Sequence, residues 1–398
     1  MNLLSVSTVV YSTLLPMCLC MKTSLRNSGD KREQSRFQVT MLESGMVKKM
    51  IRWDSNSKIA RTMLETIGRT PLVRLNTIPP QENIKSDILG KIEWFSPTGS
   101  LKDRIYYEMI TSAVENGDLK PGMEILETST GNAGIACAFV GNLLGFKVTV
   151  VMPEGMSEER KKIISAYGAD LIFTPGGESD VDLCLEKTAH LKRVHPGKYW
   201  EPSQYTNIYN IQAHYTTTGP EIWEQTKGRI DAFIASQGTG GTLTGVGRFL
   251  RQQNPHIKLY ALEPAEAPML TERKWGSHRI EGIGDGFIPR NLDVSLLDGV
   301  ILTTSEEAIT MARQLAREEG IFCGISSGCN VAGAVKLSRI HPELQTIVTM
   351  INDTGQRYFS TELCGEKKEL EIPEREHLMD MYTRGELDKY QSRWEIVK

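Results

Sequence analysis

The chain has 398 residues, 40% of them hydrophobic and 24% charged, with 46 basic against 49 acidic side chains and a net charge of −3. That profile is globular; it excludes collagen-like or low-complexity chains and supplies no broad positive field for nucleic acid. Seven scattered cysteines without a CxxC pair, and seven histidines without HExxH spacing, argue against a disulfide framework or a zinc site. The expectation is a reduced, cytoplasmic, metal-free protein with no membrane or nucleic-acid partner.

The first twenty residues are apolar, yet studded with Ser and Thr and broken by Pro16, so they read as too polar for a membrane span. Residues 1–29 carry no acid and include Lys22 and Arg26. An organelle-targeting role therefore stays open beside the reading of 1–57 as an unstructured extension.

From about residue 60, apolar β-branched runs alternate with stretches of helical period. Strands are expected at 88–95, 123–127, 147–152, 170–174, 232–236, 258–262, 300–304 and 346–351. Helices are expected between them, at 102–116, 133–144, 157–167, 181–191, 243–253, 305–319 and 330–340. Asn116-Gly117 and Glu319-Gly320 supply the helix stops. Such alternation predicts an α/β fold with largely parallel sheets.

Three polar loops follow strands. In the first, residues 96–104, Ser100 is a natural N-cap and Lys102 falls in the first helical turn. A lysine there opposes the helix dipole; with burial, the same field lowers its pKa and favours a nucleophilic amine for Schiff-base chemistry. The plainer alternative is a solvent-facing lysine at a helix start. The second loop, residues 127–134, offers two hydroxyls, an amide and free backbone N–H groups, a carboxylate-sized anion site or a decorated helix cap.

The helix at 157–167 has a solvated charged face and receives no function. The third loop, Gly238-Thr239-Gly240-Gly241-Thr242, packs three glycines into four residues before a helix, as a phosphate cradle or a tight turn would. Neither GxGxxG nor GxxxxGK[ST] occurs there, so a small phosphate ester fits better than a dinucleotide. Three such loops, all following strands, should converge at the carboxyl edge of an open α/β sheet, where ligands bind.

SLKDR at 100–104, STGNAG at 129–134, GTGGT at 238–242 and GISSG at 324–328 resemble, in order and spacing, the cysteine synthase and cystathionine β-synthase family. These are pyridoxal-phosphate (PLP) enzymes of fold type II. QYTN at 204–207, TGPEIW at 218–223 and GIGDGFIP at 282–289 add to the match, which runs from about Ile67 to Tyr358. The resemblance implies two lobes, each a mostly parallel twisted sheet flanked by helices. Residues 58–206 would form the lobe with the Schiff-base lysine and substrate loop, its first strands crossing into the other lobe. Residues 207–363 would carry the phosphate loop, and 364–398 a charged tail.

By the same resemblance, Lys102 would carry PLP and then remove the Cα proton of the substrate. Asn132 would bond the cofactor's ring oxygen, and Gly238, Thr239, Gly240, Gly241 and Thr242 would hold its phosphate. Ser326 would face the pyridine nitrogen. Ser129, Thr130, Asn132 and Gln204 would grip the substrate carboxylate. A serine at the ring nitrogen makes a weak electron sink, which favours prompt loss of a β-leaving group.

The implied reaction is β-replacement through an aminoacrylate, most simply O-acetylserine plus sulfide to L-cysteine, by a homodimer. Alternatives are a cysteine or serine β-lyase, a thioether-forming β-synthase and, further off, a serine/threonine dehydratase. Two residues depart from the family pattern: Ala133 stands where Thr is usual, and Asp285 where Ala is usual. Asp285 would contact an amino group on a larger substrate or orient a water or thiol as a base; otherwise it is a remote structural acid.

Overall fold

Alternation of the expected kind produces eleven strands among the described residues: β1 (Leu72–Arg74), β2 (Asp87–Ile92), β3 (Glu124–Thr128), β4 (Lys147–Pro153), β5 (Asp170–Thr174), β6 (Tyr199–Trp200), β7 (Ala232–Ser236), β8 (Lys258–Pro264), β9 (Gly299–Thr303), β10 (Thr346–Ile351) and β11 (Glu395–Val397). The computed structural model describes residues 59–129, 131–177, 180–365 and 378–398. The extension expected at 1–57 and the first part of the charged tail lie outside the described residues.

Four strands form a parallel sheet in the order β5-β4-β3-β6. The other seven take the order β1-β2-β10-β7-β8-β9-β11, all parallel except the β1–β2 pair. β1 and β2, early in the chain, thus belong to the larger sheet.

Side chains alternate across the large sheet, as the two-residue strand period demands. Ala232, Ile234 and Leu262 meet one apolar cluster beneath the helices Ser305–Glu318 and Ile325–Ile340. Phe233, Ala235 and Ala261 face the other, against the helix Gly241–Gln253. A third cluster, with Ile125, Val148 and Val150, fills the smaller lobe.

The helix stops behave as expected: Gly117 and Gly320 adopt left-handed φ of 76° and 70°. Several bounds differ from the sequence expectation for physical reasons. The strand expected to reach residue 95 ends at Ile92, because Glu93–Phe95 turns inward and buries the Glu93 carboxylate. The helix expected from residue 330 starts at Ile325, since burial of Ser326, Ser327 and Gly328 overrides the turn preference of those residues. β1, β6 and β11, of two or three residues each, are too short to show a period.

The end of the chain packs on the body. The helix Met381–Tyr390 and the residue Trp394 join the apolar cluster of Phe233 through Leu387 and Trp394, and β11 extends the large sheet beside β9. No described helix is long and apolar enough to cross a membrane. The five cysteines among the described residues are free thiols.

Candidate active site

The loop after β2 is stitched to the end of β10. Leu101 N–H donates to the Asn352 carbonyl at 3.0 Å, Thr354 N–H donates to the Gly99 carbonyl at 3.2 Å, and Ser100 bridges Asp353. The helix Lys102–Asn116 therefore begins one residue later than a Ser100 cap implies: Leu101 is the cap residue, and the Ser100 hydroxyl accepts the Lys102 N–H at 3.3 Å.

Lys102 lines the cavity between the two sheets. Burial holds its ammonium below the usual lysine range, against the pull of the Asp285, Glu127 and Asp353 carboxylates. Directly behind it, Arg104 is fully buried. Its guanidinium donates to Glu93 at 2.7 Å and to Glu221 at 2.7 and 2.8 Å, and Lys91 reaches Glu221 at 2.7 Å.

The second loop opens the helix Asn132–Leu143. Ser129 Oγ accepts the N–H groups of Gly131 at 3.0 Å and Gly134 at 2.7 Å, which leaves its proton to donate. The Asn132 amide donates to Asp353 Oδ2 at 2.6 Å, and its oxygen accepts from Arg357. Gln204 Nε2 donates to Glu127 Oε1 at 3.1 Å. Burial pushes the Glu127 carboxyl up to about 8, so it is largely protonated near neutral pH. Thr130 lies outside the described residues.

The third loop joins β7 to the helix Gly241–Gln253. Thr244 N–H makes the first helical bond, to the Gly240 carbonyl at 3.1 Å. Among the described residues, the N–H groups of Gly240–Leu243 have no acceptor, so they can converge on an anion.

Asn210 braces this loop by donating to Thr239 Oγ1 at 3.0 Å. His214, in a π-helical turn, sits beneath it at 3.2 Å from Thr242 Oγ1; burial lowers its pKa to about 3, keeping it neutral. A Cβ on Gly241 would lie 1.9 Å from Asn210 Oδ1. Gly241→Ala should therefore weaken anion binding at this loop about tenfold or more, read by titration with inorganic phosphate.

Ser326 sits in the first turn of its helix, where its Oγ accepts the Asn352 amide at 3.0 Å and keeps its own proton to donate. Lys102, Ser129, Asn132, Gln204, Thr239, Asp285 and Ser326 all line one cavity. Gly238, Gly240, Gly241 and Thr242 form the adjoining loop without facing it themselves. A second cavity, of about 410 Å³, adjoins the first and shares Val181, Tyr205 and Asp285 with it.

Sequence reading missed Asp353, His214 and Glu127. Asp353 is fully buried, accepts from Asn132 and from the Tyr358 hydroxyl at 2.8 Å, and leaves Oδ1 without a partner. Its place at the carboxyl end of a strand was the available signal. His214 had none, because it lies within a helical stretch.

Residues 63–353 match the family model of pyridoxal-phosphate-dependent enzymes. Cysteine synthase A of Escherichia coli K12 is 45% identical over 327 residues, covering 79% of this chain and 99% of the relative. Among solved structures, the Entamoeba histolytica cysteine synthase superposes with a TM-score of 0.75 at 36% identity, over 85% of this chain and 98% of the other. A hydrogen sulfide-producing enzyme from Fusobacterium nucleatum gives 0.72 at 36% identity, over 75% and 100%.

Proposed function

This chain belongs to the cysteine synthase family of pyridoxal-phosphate-dependent enzymes, and we propose that it forms L-cysteine by β-replacement, with O-acetylserine as donor and sulfide as nucleophile. The observation that carries this reading is one cavity lined by an amine of lowered pKa, the polar loop that opens the helix Asn132–Leu143 and a buried hydroxyl with a proton to donate, with the loop of unsatisfied N–H groups adjoining it through Thr239.

The residues present suit PLP. Unsatisfied N–H groups of the loop Gly238–Thr242 would hold its phosphate, the Asn132 amide its ring oxygen, and the Ser326 hydroxyl its pyridine nitrogen. Bound there through Lys102, PLP supplies an electron sink for the Cα–H bond electrons and so lets a β-substituent depart.

The protein's own groups do the rest. Ser129 and the N–H groups that open the helix Asn132–Leu143 bind the substrate carboxylate, and Gln204, its amide N–H groups given to Glu127 and to the Thr128 carbonyl, holds the carboxyl end of β3 beside them. They thereby set the Cα–H bond toward Lys102. Lys102, once free as an amine, takes the Cα proton, and its lowered pKa keeps a larger share unprotonated than bulk lysine would have. Ser326 would donate to the ring nitrogen without the negative charge an aspartate would bring. Asp353 and Arg357 clamp both ends of the Asn132 amide and fix its orientation.

The test is L-cysteine production by the PLP-loaded enzyme from O-acetylserine and sulfide; no product above the uncatalysed background overturns the assignment. We further infer a homodimer from the family likeness. Sedimentation of the loaded protein should give twice the 44.5 kDa chain mass, and a single-chain species would overturn it.

One observation favours a second reading, in which cysteine or serine is the donor: Asp285, a departure from the family pattern, lines both cavities. A carboxylate at that junction can take a proton from an entering water or thiol. Asp285→Ala should then cut sulfide release from cysteine by about 100-fold and shift the ratio of the two activities toward sulfide consumption. An unchanged ratio makes Asp285 structural.

A further inference from the structure

The loop that carries Asp285 is built to be soft. Gly282, Gly284 and Gly286 surround it with left-handed φ of 84°, 73° and 81°. Glycine loses more backbone freedom on ordering than any other residue, so three in five positions hold no single conformation by themselves. Contacts from outside must supply the order.

On one side the loop is tied to β7's end. Gly284 N–H donates to the Gln237 carbonyl at 3.1 Å, and Gln237 Nε2 donates to the Phe287 carbonyl at 3.3 Å. On the other side the tie comes from the end of the chain. Ile288 N–H donates to Thr383 Oγ1 at 2.9 Å, and both residues are buried.

The Thr383 hydroxyl has its own proton committed to Asp380 Oδ2 at 2.6 Å, so its lone pairs face Ile288. Asp380 Oδ1 in turn accepts the N–H groups of Tyr382 and Thr383 at 2.9 and 3.0 Å, capping the helix Met381–Tyr390. Arg290, closing the same loop, lies 4.6 Å over the Tyr382 ring centroid. The segment is itself anchored: Leu387 and Trp394 are in the core, and β11 pairs with β9.

The 410 Å³ cavity outside the catalytic one has walls from both partners of this tie, among them Trp275, Phe287 and Arg290 from the body and Met379 and Tyr382 from the segment. Asp285 stands in the wall that the two cavities share.

We propose that the segment 378–398 is part of the active-site entrance, with Thr383 as the positioning residue that fixes the Asp285 loop and thereby the path of the second reactant. Its effect on catalysis rests on the proposed β-replacement; its effect on the loop does not. The segment lies wholly beyond residues 63–353 of the family match.

The PLP-loaded full chain separates these claims through Thr383→Val, which keeps shape but removes the hydroxyl, and Thr383→Ser, which restores it. Hydrogen–deuterium exchange of the peptide over 283–290 should speed up about tenfold in T383V and stay at the wild-type rate in T383S. KM for sulfide should rise roughly fivefold in T383V with a smaller change in kcat, and return in T383S.

Wild-type exchange in T383V overturns the positioning role. So does a T383S variant as impaired as T383V, because the methyl packing and not the hydroxyl bond would then matter. If the wild-type enzyme makes no cysteine, the functional reading fails while the exchange result still judges the loop.

Discussion

Replacing Lys102 by alanine should lower cysteine formation by about 10⁴-fold or more, because in the proposed reaction one side chain would serve both as the covalent attachment for PLP and as the base at Cα. Its neighbours should remain in place. Ser100 and Leu101 are held to β10 through the Asp353 bridge and the Asn352 carbonyl, neither of which involves the lysine amine. The variant should accordingly keep the wild-type far-ultraviolet dichroism and melting temperature without cofactor. Its visible absorbance after PLP loading should change to that of a noncovalently held aldehyde. Activity within tenfold of wild type would remove Lys102 from the reaction.

Arg104→Met should be strongly destabilising, by about 3–5 kcal/mol, because it strands buried carboxylates. Arg104 and Glu93 are both fully buried, and Glu221 is 17% exposed in its side chain. Burial works to raise the Glu221 pKa, but Arg104 and Lys91 outweigh it and hold the carboxyl well below the usual range. A depressed carboxylate pKa contributes stability that is present above the unfolded-state value and lost as pH falls toward the folded one. The wild type should therefore lose stability on acidification through this network, and the variant should lose less from it. Thermal unfolding across the acid range reads both effects; a variant as stable as wild type at neutral pH would contradict the assignment.

The same network explains why three separated motifs of the sequence occur together. Thr70, close to the Ile67 start of the match, donates to Glu93 at 2.7 Å, Arg104 of SLKDR bonds Glu93 and Glu221, and Glu221 of TGPEIW accepts the Arg69 N–H at 2.9 Å. None of these residues borders the cavity; they fix the helix start from which Lys102 projects. An Arg following a functional lysine by two positions reads in the sequence as a surface charge. Its burial emerges only when three distant segments meet.

The chain itself determined the strand–helix alternation, the three glycine-bearing strand-end loops and the lysine at a helix start. Each of these is local: a period of two or 3.6, a cap, or a missing Cβ is written in neighbouring residues. Several of the 35 glycines therefore mark strand-end loops whose backbone N–H groups are free to meet an anion. Tertiary structure decided the rest.

It placed β1 and β2 in the larger sheet, set Asp353 against Asn132 across 221 positions, and brought Thr383 to the Asp285 loop across 95. It also protonated Glu127 and silenced His214 by burial. Those outcomes depend on which surfaces lose water when distant elements pack, and desolvation leaves no periodic trace along the chain.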